Sequence, residues 1–295
     1  MDIRQLQYLV ALGRARHFTR AAAACNVTQP TLSGRIRQLE QELGVPIVKR
    51  GQRFQGFTEE GERVLLWATR IVEAKDKLIG DLAGMAGTAG GRLILGVIPS
   101  ALPMIPPLTE AMHAAQPQAS FTILSQSSDE ILRGLEAFEI DAGVTYLGNE
   151  PVPDLLRRPL YTERYRLFLD SAHPLAAQTE IGWADAAAHP LCLLTRTMQN
   201  RRIIDATFRQ LGCHPVPEVE SSSALALIAH IRQRPRLATI LPEHFASLLA
   251  WGDVLALPLT TPEITHSIGL VALDRDPLPR LVSRLLKAAD GIKMP

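Results

Sequence analysis

The chain has 295 residues, 46% of them hydrophobic and 21% charged. This suits about two domains of ~100–200 residues and excludes a disordered, collagen-like or disulfide-scaffold protein. The net charge of +1 averages an uneven distribution: +6 through Phe57, −2 from Thr58 to Gly91 and −3 from Arg92 onward. A basic head on a mildly acidic body gives the head a polyanion as partner and leaves the body a different task. Met1-Asp2-Ile3-Arg4 leads into an amphipathic pattern, unlike the continuous apolar run of a signal peptide. The longest apolar-rich stretch, Leu93 to Leu108, is too short for a membrane span and holds Pro99, Pro103, Pro106 and Pro107. Cys25, Cys192 and Cys213 show no paired spacing, which argues against a disulfide framework or a zinc site and for a reducing, cytoplasmic setting. No metal and no cofactor is expected.

Leu6, Leu9, Val10 and Leu12 give the first segment one apolar helical face. Phe18 to Cys25 reads as a short, alanine-rich helix, broken by Asn26-Val27-Thr28. Thr28 is a natural N-cap for the next helix, and Pro30 is acceptable in its first turn. Leu32, Ile36, Leu39 and Leu43 then form an inward stripe that Gly44 closes. The outer face carries Thr31, Arg35 and Gln38, flanked by Gln29, Ser33 and Arg37. Two helices joined by a three-residue turn, the second polar and basic outside, make a helix-turn-helix whose second helix enters the major groove. Arg and Gln there can read base edges, while Thr and Ser meet phosphates. Lys49 to Phe57 reads as a glycine-punctuated hairpin wing placing Arg50 and Arg53 beside a phosphate backbone.

Phe18-Thr19-Arg20-Ala21-Ala22, Gln29-Pro30-Thr31-Leu32-Ser33, Ile36-Arg37-Gln38-Leu39-Glu40 and Leu43-Gly44 together resemble the winged helix-turn-helix signature of the LysR-type transcriptional regulators. So do Val48-Lys49-Arg50 and Phe57-Thr58-Glu59-Glu60-Gly61. The resemblance implies double-stranded promoter DNA as partner, met by Thr28, Gln29, Pro30, Thr31, Ser33, Arg35 and Arg37 on the helix and by Arg50 and Arg53 on the wing. Two positions depart from it. Gly34 stands where the family often has a long polar side chain, and Ile47-Val48 replaces its usual aliphatic–aromatic pair.

Thr58 caps a further helix with Glu59 and Glu60 in its first turn, where the helix dipole favours negative charge. Leu65, Ala68, Val72, Lys75, Ile79 and Leu82 recur at alternating spacings of three and four, flanked by Val64, Ile71 and Leu78. A helix packed within its own domain would show the same stripe. Because half-site recognition calls for a two-fold dimer, residues 58 to about 83 are read as a dimerisation helix. Gly84 to Gly91, with four glycines in eight residues, is read as a flexible hinge, with no Walker spacing behind it.

Beyond the hinge, strands are expected at Arg92–Val97, Phe121–Leu124 and Asp141–Val144, alternating with helices ending near Ala115 and Phe138. A second unit begins near Tyr161, with strands at Arg166–Leu169, Leu191–Leu194 and Leu237–Leu241 and helices from Arg201 to Leu211 and up to Arg232. Ile268–Leu273 and a helix from Leu278 to Ala289 return to the first unit. Such α/β sheets bind ligands at strand ends, where Ser100 and Ser127-Ser128 lie, although each serine could simply cap its helix. The element order, with Asp141-Ala142-Gly143-Val144 and Leu241-Pro242-Glu243 as anchors, is similar to the effector-binding domain of LysR-type regulators, itself similar to type 2 periplasmic binding proteins. Arg232-Gln233-Arg234-Pro235-Arg236 departs from that family's glycine-containing turn.

The expected architecture is therefore an α+β multidomain protein. A winged helix-turn-helix (1–58) precedes a linker helix and hinge (59–91) and a two-lobed α/β effector domain (92–295). Lobe 1 takes about 92–161 and 266–295, and lobe 2 about 162–265. The resemblance implies that Ser100, Ser127, Ser128, Thr195 and Gln199 line an interlobe cleft, with Tyr146 at a crossing strand. Hydroxyls and helix N-termini favour a small anion such as a carboxylate as effector. Of Arg196, Arg201 and Arg202, at least two are expected to be exposed and solvated. Self-association as a dimer or homotetramer (a dimer of dimers) follows from the resemblance, with RNA polymerase a further partner open to it, and no membrane.

Two other functions remain in view. Cys192 and Cys213, 21 residues apart, could make a thiol-based redox sensor, and the body alone fits a solute-binding protein without a DNA function. An enzyme is not expected, because no Gly-x-Ser-x-Gly elbow, His-Glu-x-x-His helix or Walker loop occurs. His17, His113, His173, His189 and His214 are expected at the surface or in turns.

Overall fold

A computed structural model describes residues 1–49, 54–85, 91–148, 155–248 and 252–292. The chain forms two compact units, Met1–Ala89 and Gly90–Pro295. In the first, α1 (Ile3–Ala15) starts on a capping box between Asp2 and Gln5. α2 (Phe18–Ala24) and α3 (Gln29–Leu43) follow, and α3 ends on Gly44 at φ 70°, a left-handed turn that glycine adopts without strain. Leu6, Leu9 and Leu12 of α1, Ala21 and Ala22 of α2 and Leu32, Ile36 and Leu39 of α3 share one core. Glu40 accepts hydrogen bonds from the amides of Ile47 and Val48 (2.7 and 3.0 Å), and Val48 pairs antiparallel with Phe57. That is the stem of the expected wing; its tip, with Arg50 and Arg53, lies outside the described residues. Phe54 sits edge-on to Phe18 and Phe57 and ties the stem to α2.

α4 (Glu59–Met85) begins on Thr58, whose Oγ1 accepts from the Gly61 amide at 2.9 Å. Its apolar stripe divides differently from the dimerisation seam expected. Ala68 is buried, and Val64, Leu65 and Val72 pack on the head's own core. Gly13 of α1 permits this approach, since a Cβ there would lie 2.9 Å from Leu65. Trp67, Ile71, Leu78 and Ile79 remain exposed. The same helical period thus serves two purposes, and the exposed apolar stripe is offset from the one that builds the core. The helix also runs through Gly84, two residues past its expected end, and 86–90 lie outside the described residues.

The second unit is built on a ten-stranded sheet. β1 (Arg92–Val97), β2 (Ser120–Ser125) and β3 (Ala142–Tyr146) are parallel, with α5 (Pro106–Ala115) and α6 (Ser128–Glu136) between them. β4 (Leu155–Asp170) is followed by β5 (Ile181–Gly182), α7 (Trp183–Ala187), β6 (Leu191–Leu194), α8 (Gln199–Gln210), β7 (Val219–Ser221) and α9 (Ala224–Gln233). β8 (Ala238–Pro242), α10 (Phe245–Leu248), β9 (Val254–Thr260), β10 (Thr265–Leu273) and α11 (Arg280–Asp290) complete it. The strand order is β2-β1-β3-β10-β4-β8-β6-β7, with β9 paired to β4 and β5.

β4 is one continuous 16-residue strand where a separate short strand at Arg166–Leu169 was expected. Its first part pairs with β10 and its last part with β8 and β9, so it carries the chain from one half of the sheet to the other. Pro159 hides this strand from sequence patterning, because a proline inside a run reads as a break. The sheet accommodates it at a bulge in β4, where Leu160 is the extra residue between the partners of Ile268 and Gly269. Gly269 is required there, since a Cβ would fall 2.5 Å from the Arg158 carbonyl oxygen. β5, α7 and β9 also went unread, Pro258 breaking the apolar run of β9.

Candidate functional site

On α3 the buried stripe Leu32, Ile36 and Leu39 fixes which face looks outward. Gln29, Pro30, Thr31, Arg35, Arg37 and Gln38 are exposed, and Ser33 is half-buried. Thr28 caps the helix, its Oγ1 accepting from the Thr31 amide (3.4 Å) and lying 2.8 Å from the Thr31 hydroxyl. Arg35 donates to Gln38 Oε1 at 3.2 Å. A helix face with two arginines, a glutamine and hydroxyls around its N-terminal turns suits both base edges and phosphates.

In the second unit the N-termini of α6 and α8 open into one pocket. Ser100, Ser127, Ser128, Tyr146 and Gln199 all line it, together with Ile98, Pro99, Leu194, Met198 and Asn200. Thr195 is not among the lining residues; its hydroxyl lies 3.1 Å from that of Thr197. Ser127 is already committed as the α6 cap: its hydroxyl donates to Glu130 Oε2 (2.8 Å) and accepts from the Glu130 amide (3.3 Å). The Ser127 amide, which donates to Glu130 Oε2 at 2.7 Å, and then the Ser127 hydroxyl hold Glu130 below its usual pKa. Ser128 Oγ accepts from Thr145 (3.0 Å), which leaves its own proton to give. α8 has no side-chain cap, so the amides of its first turn are not taken up by one.

Asn200 went unnoticed in the sequence because the helix was expected to begin at Arg201. It is 3% exposed, and among the described residues neither its Oδ1 nor its Nδ2 has a partner. The signal was its spacing to Ile203, Ile204, Thr207 and Phe208, the inward face of α8. An unpaired buried carboxamide costs about 1–3 kcal/mol unless something bonds to it. The volume open to the centre of a water molecule is about 10 Å³, room for about one water. A wider open groove of about 730 Å³ shares Gln199 with it and runs along α8, past Arg202, to His266.

Behind Tyr146 lies a buried carboxyl. Glu163 Oε1 accepts from the hydroxyls of Tyr146 (2.7 Å) and Tyr165 (2.8 Å). Burial pushes its pKa up to about 7, against the pull of those hydroxyls. Burial likewise raises the Tyr146 phenol, with the neighbouring Glu163 charge adding to it.

Two expectations need correction. His173 is buried rather than at the surface, its Nδ1 accepting from the Leu175 amide at 3.1 Å, because the turn after β4 folds back over it. Arg201 is 1% exposed: it donates to the Leu194 carbonyl (2.8 Å), to Asp205 (2.7 Å) and to Glu220 (2.5 Å). Arg196 is exposed, whereas Arg202 is half-buried and pairs with Asp129. Cys192 sits buried in β6, where burial pushes its thiol up to about 12. Cys213 is half-exposed beyond Gly212. Among the described residues no helix is long and apolar enough to cross a membrane.

Residues 3–62 match the profile of the bacterial regulatory helix-turn-helix proteins of the lysR family, and residues 86–291 match the LysR substrate binding domain. The chain belongs to the LysR family of transcriptional regulators. This LysR-type regulator is 32% identical over 302 residues to the DNA-binding transcriptional dual regulator OxyR of Escherichia coli K12, a match covering 98% of the chain and 94% of that protein. It is 34% identical over 196 residues to the hydrogen peroxide-inducible genes activator of Pectobacterium carotovorum, covering 66% of the chain and 64% of that relative's length. A cysteine-to-aspartate variant of full-length OxyR from Pseudomonas aeruginosa is similar in structure, with a TM-score of 0.75 and 26% identity over 99% of this chain and 96% of that one.

Proposed function

We propose that this LysR-type regulator reads promoter DNA with the outer face of α3 and the wing, and that a small anion held between α6 and α8 sets how it binds. The reading rests on the two helix N-termini that open into one pocket, beside the unpaired carboxamide of buried Asn200. Amides at helix N-termini and the free proton of Ser128 supply donors for an anion. Residues Thr28, Gln29, Pro30, Thr31, Ser33, Arg35 and Arg37 serve the DNA, with Arg50 and Arg53 on the wing. Ser100, Ser128, Gln199 and Asn200 serve the ligand, and Thr195 has at most a peripheral place. Occupancy of the pocket shifts the two halves of the sheet relative to each other, and self-association through the exposed stripe of α4 pairs the DNA-reading heads. The protein works in the cytoplasm and has no catalytic task.

The names of the relatives raise peroxide as a stimulus. A thiol route through Cys192 and Cys213 is disfavoured in this chain, because Cys192 is buried in a strand and held as a thiol. The test is a gel-shift and footprint on the DNA upstream of the chain's own gene, with and without small carboxylates. A carboxylate-dependent change in the footprint that Asn200→Ala abolishes is expected. An unchanged footprint with every carboxylate, together with a change on mild peroxide treatment that cysteine substitution removes, would favour the thiol route.

A further inference from the structure

Glu163 is 1% exposed and faces His266 across the β4–β10 pair. Both tyrosine hydroxyls bond to Oε1, and among the described residues no donor reaches Oε2. The Tyr146 hydroxyl that reaches Glu163 also lies 3.5 Å from Ser100 Oγ on the pocket wall. Two histidines and a third tyrosine also pack around this cluster. From β10, the His266 ring stands edge-on to Tyr146 and Tyr165. From beyond β8, His244 Nε2 donates to the Ser100 carbonyl (2.6 Å), and its ring meets Tyr161, whose buried hydroxyl has no partner among the described residues. Burial lowers both histidines, which favours their neutral form, and Glu243 acts on His244 only as a lesser influence.

A phenol has one proton. While Glu163 is ionised, Tyr146 gives that proton to Oε1 and offers the pocket only lone pairs. Once Oε2 carries a proton, the acid no longer holds the Tyr146 hydroxyl, which can turn toward Ser100 and the pocket. A single buried carboxyl therefore changes this wall from acceptor to donor. An anion beside Tyr146 favours the donor state twice, by needing its hydrogen bond and by repelling a second buried negative charge.

We propose that Glu163 touches no ligand yet decides the charge the pocket accepts, binding of a small anion beside Tyr146 being coupled to uptake of one proton by Glu163. The proton comes from solvent and forms the O–H bond on Oε2; no other bond is made or broken, and the buried charge stays the same. Glu163 is thus a positioning residue acting through Tyr146. The inference rests on the proposed reading that the pocket takes an anion.

Formate, small and anionic throughout the working range, is the probe. The full chain, labelled with carbon-13 at its glutamate carboxyls, is titrated from about pH 5 to about pH 9 with and without formate. One glutamate signal should titrate near neutrality, be absent in Glu163→Gln, and move up by at least half a pH unit at saturating formate. Formate affinity should fall by at least about twofold over the alkaline half of that range in the wild type and stay flat in Glu163→Gln. If Glu163→Gln does not fold, Tyr146→Phe should raise the midpoint of that signal and weaken formate binding. Formate binding that Ser128→Ala weakens, with flat affinity and an unmoved midpoint, would overturn the coupling and leave the anion site standing. No saturable formate binding at the acid end would overturn both.

Discussion

Arg202 on α8 reaches Asp129 on α6 at 3.3 Å and so bridges the two helices whose N-termini form the pocket. With room for about one water, the pocket admits anything larger only if α6 and α8 part, which stretches this pair. The two side chains are 40% and 53% exposed, so the pair contributes at most about 1 kcal/mol to folding. Asp129→Asn should leave the urea-unfolding midpoint nearly unchanged while speeding formate exchange in relaxation measurements. Raising salt from about 50 mM to about 500 mM should reproduce the effect in the wild type. A large loss of stability would show that the pair holds the fold rather than the pocket mouth.

Arg201, one position earlier, should behave in the opposite way. Its guanidinium is buried and fastens the start of α8 to the end of β6 through the Leu194 carbonyl. Removing one member of a buried pair costs about 3–5 kcal/mol when the other charge is stranded. Here Asp205 and Glu220 are 32% and 42% exposed and can regain water, so Arg201→Met should cost about 2 kcal/mol. Urea unfolding measures this, and formate affinity should fall with it, because the α8 N-terminus loses its anchor. Wild-type stability in Arg201→Met would contradict the anchoring.

The pH dependence of stability follows from Glu163. Its folded pKa is raised to about 7 from 4.5, so the folded protein holds this proton over a range in which the unfolded chain has already lost it. Stability from this group is whole below about pH 4.5, falls as pH rises, and is constant again above about pH 7. The total loss is about 3 kcal/mol. Glu163→Gln should flatten that decline in urea titrations across the same window. A wild-type curve no steeper than that of the variant would show that Glu163 ionises at an ordinary carboxylate pKa.

Much of this is legible in the sequence, and the reason differs between the units. The head follows local rules: Thr28 caps, Gly44 stops, and Leu32, Ile36 and Leu39 repeat with the helical period, so that period and caps suffice to place α3. In the second unit, Ser100, Ser127 and Ser128 stand at the ends of strands and starts of helices, positions that patterning can find, whereas Tyr146 and Gln199 are reached only through the family resemblance. Glu163 and Asn200 escaped both. A single acid between Thr162 and Arg164 in a polar stretch looks solvated, and only the pairing of β4 with β10 buries it. The α4 stripe shows a further limit, since the period of a helix does not say which neighbour will cover it.

Gly34 offers a separable test of α3. It is exposed in mid-helix, and a Cβ there would meet nothing within 4 Å. Alanine at an exposed helix interior is favoured over glycine by about 1 kcal/mol, so Gly34→Ala should stabilise the head by that amount in thermal melts of the full chain. Because the position adjoins Ser33 and Arg35 on the proposed DNA-facing side, gel-shifts tell two cases apart. An added methyl that fits beside the DNA leaves affinity for the upstream site unchanged. Arg35→Ala, by contrast, should weaken that site about 10- to 100-fold through a lost base contact and relax preference at one base pair, with little change in the salt slope. Equal loss on every sequence, with the slope reduced by about one, would instead assign Arg35 to a phosphate.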